Sequence, residues 1–151
     1  MKIAMASDHA GLVLKDSLKP LVAQLGHEIV DVGAHTNDPL DDYPDFALLL
    51  GQAIVAGKAQ RGLLFCGSGI GASVAANKIT GIRAGNCTDH YSAHQGVEHD
   101  DMNVLVIGGR IVGGAVAEEM VRAFLAAKFT GEPRHQRRLD KVLAIERTSG
   151  R

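Results

Sequence analysis

The sequence predicts an α/β fold built on a five-stranded, mostly parallel sheet. Short apolar runs of strand length alternate with amphipathic or Ala-rich stretches of helix length along almost the whole chain. Glycines follow the first two helical stretches, where a left-handed cap ends a helix. Because alternating strands and helices form parallel sheets covered on both faces, we expect a three-layer α/β/α sandwich, Rossmann-like in arrangement.

The first half of the chain supplies two strands and two helices. Residues 2–6 and 28–32 are predicted strands because they are short and apolar. Residues 11–25 are a predicted helix, since leucines and a valine recur on one side of it, and Gly26 ends it. A polar loop then leads through Tyr43 into a helix that runs to about residue 56.

The second half continues the alternation. The uninterrupted apolar run 62–65 is the third strand, and the Ala-rich stretch 70–78 is a helix. The remaining predictions are strands at 81–85 and 103–107, short helices between the strands, a long apolar helix at 113–128 and a basic, amphipathic helix at about 133–148. Pro133 suits the first turn of that last helix.

Composition limits the function classes. With 151 residues, of which 46% are hydrophobic and 22% charged, the chain fits one globular domain over residues 1–151. The formal net charge of -1 gives no bulk electrostatic case for nucleic acid or anionic membrane as a partner. No signal peptide is recognisable, so we expect a cytoplasmic location, with Cys66 and Cys87 as free thiols.

The run Cys66-Gly67-Ser68-Gly69-Ile70-Gly71 is the most informative motif. It carries a thiol from the end of an apolar strand onto a glycine-rich turn that opens a helix. Unpaired N–H groups and the helix dipole at such a junction favour the thiolate, which can act as a base or nucleophile. The alternative is a small core cysteine beside a tight turn.

Other polar residues follow predicted strands. Asp8 and His9 follow the first strand, 87–90 the fourth and 108–110 the fifth. In parallel sheets, ligands bind outside the carboxyl ends of the strands, so these segments converge on one edge. Asp8 could instead serve as a helix N-cap, and Arg110 as a surface or inter-subunit ion pair.

Two further segments carry charged or titratable groups. His99, in the polar stretch 98–103, could act as an acid or base or lie in a solvated loop. Arg134 and Arg138 are four residues apart and share a helix face suited to a phosphate, although a solvated basic face is the alternative. Histidines at 90, 94 and 99 lack a recognised zinc motif, so no metal site is predicted.

Taken together, the motifs resemble ribose-5-phosphate isomerase B and its relatives, the galactose-6-phosphate isomerase subunits. The resemblance runs from end to end, and its specificity comes from the order and spacing of the motifs. The matching stretches are 7–11, 42–45, 66–71, 75–78, 81–84, 91–93 and 103–105, with Arg134, His135 and Arg138.

The resemblance implies aldose–ketose isomerisation of a sugar phosphate through a cis-enediolate, with no metal and no cofactor. Cys66 stands at the family's base position, Ser68 and nearby amides would stabilise the enediolate, and His99 would open the furanose ring. The implied substrate-binding residues are Asp8, His9, Tyr43, Gly67, Gly69, Gly71, Asp100, Asn103, Arg110, Arg134 and Arg138.

The resemblance also implies a homodimer with shared active sites, in which helix 133–148 reaches the partner's site; a tetramer is left open. Asp100 departs from the asparagine usual in the family, so ribose 5-phosphate competes with a tetrulose 4-phosphate or a hexose 6-phosphate as substrate. Hypotheses of another class are a non-catalytic sugar-phosphate sensor and a dinucleotide-binding module, since Gly67-x-Gly69-x-x-Ala72 fits a relaxed glycine fingerprint.

Overall fold

The computed structural model describes residues 1–148, which form strands and helices in alternation. The strands are β1 (Lys2–Ser7), β2 (Glu28–Asp31), β3 (Arg61–Cys66), β4 (Ala84–Asn86) and β5 (Val104–Gly108). The helices are α1 (Leu12–Gln24), α2 (Tyr43–Val55), α3 (Ile70–Ala76), α4 (His90–Asp100), α5 (Gly114–Ala126) and α6 (Pro133–Thr148).

The five strands form one parallel sheet in the order β2-β1-β3-β5-β4. The predicted fold class is therefore confirmed. Strand β4 begins later than predicted, at Ala84 and not at residue 81. The side chain of Asn103 explains the late start, because it accepts from Arg83 N and donates to the Gly81 carbonyl, each at 2.8 Å.

Two hydrophobic layers cover the two faces of the sheet, and the strands serve both by alternation. In β3, Leu63 and Phe65 point into the layer under α1, α4 and α5. Leu64 and Cys66 point into the layer under α2 and α3. The thiol of Cys66 thus belongs to the α2 and α3 face.

Two glycines let the loops after β1, β3 and β5 approach one another closely. A Cβ added at Gly11 would lie 2.5 Å from the backbone carbon of Phe65. A Cβ added at Gly108 would lie 2.5 Å from the backbone of Ser68. Because neither position has room for a side chain, the ends of the three central strands form one compact edge.

Helix α6 differs from the other long helices because little of it is buried. Only His135 and Leu139 of its 16 residues are buried, and the helix packs on α4. Among the described residues, no helix has both the length and the apolarity needed to span a bilayer.

A buried ion pair ties α1 to the end of β2. Lys15 is 0% exposed, and its Nζ donates to Asp31 Oδ1 at 2.9 Å and to the carbonyls of Gly33 and Ala34 at 3.1 and 2.6 Å. Burial raises the pKa of Asp31, but hydrogen bonds from Lys19 and Lys15 outweigh it, so this pKa is lowered. The pair therefore adds stability above the unfolded-state pKa of about 3.9 and loses it as the pH falls.

We expect Lys15→Ala to lower the free energy of unfolding by about 3 kcal/mol, because it removes the donor of the buried Ala34 carbonyl and leaves Asp31 with only part of its hydrogen bonds, those from Lys19 and Gly33 N. Urea denaturation at neutral pH measures the loss. Lys2→Ala is the matched control, since its pair with Glu28 is exposed and should contribute less than about 1 kcal/mol. Equal losses for the two variants would contradict the role given to Lys15.

Candidate active site

A cavity of about 370 Å³ lies at the carboxyl ends of β1, β3 and β5. Its walls come from the loops after those strands and from the first residues of α2 and α3. The lining residues are Asp8, His9, Ala10, Tyr43, Cys66, Gly67, Ser68, Gly71, Arg110 and Ile111. The structure thus brings together the thiol, a carboxylate, an imidazole, a phenol and a guanidinium.

Cys66 ends β3 and is 5% exposed, with its sulfur beside the glycine turn. The backbone N–H of Gly69 donates to Sγ at 3.0 Å. A hydrogen bond of this kind favours negative charge on the acceptor. The turn needs glycine at position 69, where φ is +86° and a Cβ would lie 2.1 Å from Asn86 Oδ1.

The rest of the glycine turn places further donors near the cavity. Ser68 is exposed, and its Oγ accepts from Ile70 N at 3.3 Å. Gly71 lies directly under the ring of Tyr43, because an added Cβ would be 2.7 Å from the ring atom Cζ. Gly69, in contrast, is not a lining residue, and its amide is used by Cys66.

Asp8 and Arg110 bring opposite charges to the same edge. Asp8 is buried, and its Oδ1 accepts from Gly11 N at 2.9 Å. Burial raises the pKa of Asp8, while the Gly11 hydrogen bond and His9 oppose that rise. Arg110 is anchored through its backbone N–H, which donates to the Gly67 carbonyl at 3.0 Å. Its guanidinium is suited to an anionic ligand.

His9 lines the cavity and is held by a residue that the sequence reasoning missed. Its Nδ1 lies 2.6 Å from Oδ1 of Asp41, and the same oxygen accepts from the His9 backbone N at 3.2 Å. Asp41 belongs to an Asp-rich loop before α2, and only the tertiary fold shows which of these carboxylates meets a histidine.

The other predicted site residues do not line this cavity. Asp100 lines a larger cavity of about 650 Å³ between α3, β4, α4 and α6. The larger cavity is lined by Cys87 and Arg83 but by no histidine, so it lacks the imidazole that lies beside the thiol in the smaller cavity. The side chain of Asn103 makes hydrogen bonds to the backbone of Arg83 and Gly81, so a contact with the sugar would have to replace one of those bonds.

His99 and the two arginines lie together at α4 and α6. The Nδ1 of His99 is 2.6 Å from Gln95 Nε2. Arg134 Nε donates to Glu132 Oε2 at 3.0 Å, and Arg138 is exposed. Most of the predicted site residues therefore form two groups in one chain, the cavity residues and the set of His99, Arg134 and Arg138 at α4 and α6. Gly69, Asp100 and Asn103 belong to neither group.

His135 is a second residue whose position sequence reasoning did not predict. It is 1% exposed, and its ring lies 3.9 Å from the ring of His99, centroid to centroid. Its Nδ1 is 2.9 Å from Thr130 Oγ1. Burial, and then the neighbouring His99 and Arg134, lower the pKa of His135. The sequence feature that could have pointed to His135 is its place beside Arg134 in the stretch that matches the family.

His94 and His99 contact other side chains and, in the described part of the chain, do not form a metal-ligand group with His90. His94 Nε2 lies 3.1 Å from Glu98 Oε1, and His99 contacts Gln95 and His135. Within residues 1–148, no three His, Cys, Asp or Glu side chains are grouped so that they could hold a metal ion.

Comparison with known proteins identifies the family. The family model described as Ribose/Galactose Isomerase matches residues 3–142. The chain belongs to the ribose/galactose isomerase family. It is therefore an isomerase of the intramolecular oxidoreductase class, and the sensor and dinucleotide-binding hypotheses are set aside.

Relatives within the family differ in the substrate that their names give. The chain is 41% identical over 145 residues to ribose-5-phosphate isomerase B of Escherichia coli, covering 96% of each chain. It is 39% identical over 134 residues to D-erythrulose-4-phosphate isomerase of Pectobacterium atrosepticum, covering 87% of this chain and 86% of that protein.

A solved relative has the same fold and carries a ligand. Ribose-5-phosphate isomerase B of Mycoplasma genitalium, with bound ribulose-5-phosphate, superposes with a TM-score of 0.92 at 37% identity. The match covers 98% of this chain and 97% of that one. It confirms the predicted three-layer fold at nearly full length.

The two cysteines should differ in reactivity. Burial, and then the nearby Asp89, raise the pKa of Cys87 to about 11, so this thiol is almost wholly protonated at about pH 8 and reacts slowly. We expect iodoacetamide to modify Cys66, which lines the small cavity, at least about 10-fold faster than Cys87. Mass spectrometry of timed samples measures both rates, with Cys66→Ser and Cys87→Ser as controls. Equal rates would contradict the contrast.

Proposed function

We propose that this chain interconverts ribose 5-phosphate and ribulose 5-phosphate through a cis-enediolate, with Cys66 as the base. The observation that carries the proposal is the cavity in which Cys66 meets His9, Asp8 and Arg110. The names of the relatives, and the bound ribulose-5-phosphate of one of them, support this substrate.

In the proposed reaction, the Cys66 thiolate removes the proton from C2 of the open-chain aldose. The electrons form a C1=C2 double bond, and negative charge develops on the former carbonyl oxygen. The hydroxyl proton on O2 passes to O1, and the C2=O double bond forms as the thiol returns its proton to C1, which gives the ketose and regenerates the thiolate. The Gly69 N–H at 3.0 Å supports the thiolate at the start and end of this cycle.

The enediolate needs hydrogen-bond donors where its charge develops. Since the Gly69 amide is used by the sulfur, we assign this role to the Ser68 hydroxyl and to the amides of Gly67 and Gly71. One such donor typically lowers the barrier by about 3 kcal/mol. Asp8 and Tyr43 line the same cavity and would border the sugar hydroxyls.

The remaining residues of the proposed site come from a second copy of the chain. His99, Arg134 and Arg138 do not line the cavity that holds Cys66, so one chain alone would lack the ring-opening histidine and two phosphate ligands. We therefore propose a homodimer in which α4 and α6 of each copy complete the partner's cavity, while His9 and Arg110 bind phosphate from the thiol side.

Exposed apolar side chains support this assembly. Ile70 and Val74 on α3 are 60% and 58% exposed, and Val142 and Ile145 on α6 are 52% and 66% exposed. Apolar side chains grouped on two helices favour contact with another protein surface. Since α6 buries only two of its residues within its own chain, most of its surface is available to contact a partner.

A four-carbon substrate is the second candidate, favoured by the erythrulose-4-phosphate relative and by Asp100. An acceptor-only carboxylate replaces a neutral amide at this position, which suits sugar hydroxyls better than phosphate. The chemistry at Cys66 would be the same, but a tetrose phosphorylated on its 4-hydroxyl closes no furanose ring and needs no ring-opening histidine.

We expect Cys66→Ala to reduce kcat for ribose 5-phosphate by at least about 1,000-fold, because no other group at the end of β3 can carry the proton. Ketose formation measures kcat, and circular dichroism checks the fold. Cys87→Ala is the matched control and should keep its activity, since Cys87 lines the other cavity. A fully active Cys66→Ala variant would remove the thiol from the mechanism.

His99→Asn separates the two substrates. We expect it to suppress turnover of ribose 5-phosphate, which is mostly cyclic, while ribulose 5-phosphate still binds. Turnover of erythrose 4-phosphate should change little, because no ring has to open. Parallel kinetics on both aldoses, with calorimetry for ribulose 5-phosphate, measure the difference. Unchanged turnover of ribose 5-phosphate would contradict the role of His99.

Mixing two inactive variants tests the shared site. After subunit exchange, an equal mixture of Cys66→Ala and His99→Asn should recover about a quarter of the wild-type activity on ribose 5-phosphate, because half of the dimers contain one intact site. Each variant mixed with itself is the control. Recovery of no activity, with exchange verified by native mass spectrometry, would place all site residues in one chain.

A further inference from the structure

We propose that Asp41 is a positioning residue that fixes the ring of His9 for substrate binding. The inference rests on the proposed function for its purpose, but the contact itself is a feature of this chain. His9 lines the cavity with Cys66, whereas Asp41 lies outside the lining and acts through the histidine.

A single carboxylate oxygen holds His9 at two points. Oδ1 of Asp41 accepts from the backbone N of His9 at 3.2 Å and lies 2.6 Å from ring Nδ1. The backbone contact fixes the turn after β1, and the ring contact fixes the side-chain torsions. Together they leave His9 little freedom to turn away from the cavity.

The ring contact also sets which nitrogen of His9 carries the proton. A carboxylate accepts hydrogen bonds and cannot donate them, so Nδ1 must carry the hydrogen. Nε2 is then the nitrogen left for a ligand. It accepts from a sugar hydroxyl when the ring is neutral and donates to a phosphate oxygen when the ring is protonated.

Burial strengthens the contact. The side chains of Asp41 and His9 are 11% and 28% exposed. Within residues 1–148, Oδ2 of Asp41 is buried and has no hydrogen-bond partner. The negative charge of Asp41 is therefore compensated through the contacts that its Oδ1 makes with His9. An electrostatic contact is stronger at low local dielectric than in water.

The position of Asp41 in the chain connects two walls of the cavity. Its backbone N donates to the Asp38 carbonyl at 3.1 Å, which fixes the loop before α2. Two residues later, Tyr43 opens α2 and lines the cavity beside Gly71. The contact with His9 therefore fastens the turn after β1 to the start of α2.

Nitrogen NMR of the intact ¹⁵N-labelled protein tests the contact without any activity measurement. Long-range ¹H–¹⁵N spectra of the neutral His9 ring should show the hydrogen on Nδ1 in the wild type. Asp41→Ala should return the ring to the Nε2–H form that free histidine prefers. His9→Gln assigns the signal. A wild-type ring that carries its hydrogen on Nε2 would overturn the proposal.

A double-mutant cycle tests whether Asp41 acts through His9. We expect Asp41→Ala to lower kcat/KM for ribose 5-phosphate about 10-fold, mainly through KM. In the His9→Ala background, the same change should cost less than about 2-fold. Asp38→Ala is the control for the loop, since Asp38 Oδ1 accepts from Leu40 N, at 3.0 Å, within its own loop.

The NMR measurement and the kinetic cycle together distinguish a failure of this inference from a failure of the proposed function. An equal penalty for Asp41→Ala in both backgrounds would mean a purely structural role and would overturn the proposal. A wild-type protein inactive on every sugar phosphate would overturn the proposed function, and the tautomer of His9 would then decide the role of Asp41 alone.

Discussion

The site depends on the parallel pairing of β1, β3 and β5, which brings their carboxyl ends to one edge. β3 lies between the other two, so the thiol at its end has a loop on each side. Gly11 and Gly108 permit the close contact, because a Cβ at either would overlap neighbouring backbone. Burial and loop geometry at Cys66 therefore follow from the sheet order and from these two small residues.

The electrostatics of the cavity depend on which charged groups are buried and what contacts them, as well as on which residues are present. Asp8 is buried among backbone donors, and Asp41 is compensated by His9. Arg110 supplies the cationic side chain on the thiol side. His99 on α4 and Arg134 and Arg138 on α6 carry imidazole or guanidinium groups, which suits them to meet a phosphate from the opposite side. The separation of the two groups in one chain is the basis for proposing a shared site.

Local patterns predicted the sheet, the helices and the convergence of Asp8, His9, Cys66 and Arg110, because strand-end residues in a parallel fold meet at one edge. Tyr43 was implied by the family resemblance, and residues 87–90, which were also expected at this edge, do not line the cavity. Local patterns could not show that Asn103 binds the backbone of Arg83 and Gly81, which shortens β4. They also missed Lys15 as a buried cation and Asp41 as the partner of His9. Each of these contacts joins residues 16 to 32 positions apart, where spacing and propensity carry no information.

Exchange of solvent hydrogen into the sugar carbons decides whether Cys66 moves a proton through an enediolate. Ribose 5-phosphate is incubated with the protein in heavy water, and proton NMR follows C2 of ribose 5-phosphate and C1 of ribulose 5-phosphate. We expect deuterium to enter both positions as the isomers interconvert, because a thiol exchanges its proton with solvent. Isomerisation without any deuterium at either carbon would indicate direct hydride transfer and would contradict the role of Cys66 as base.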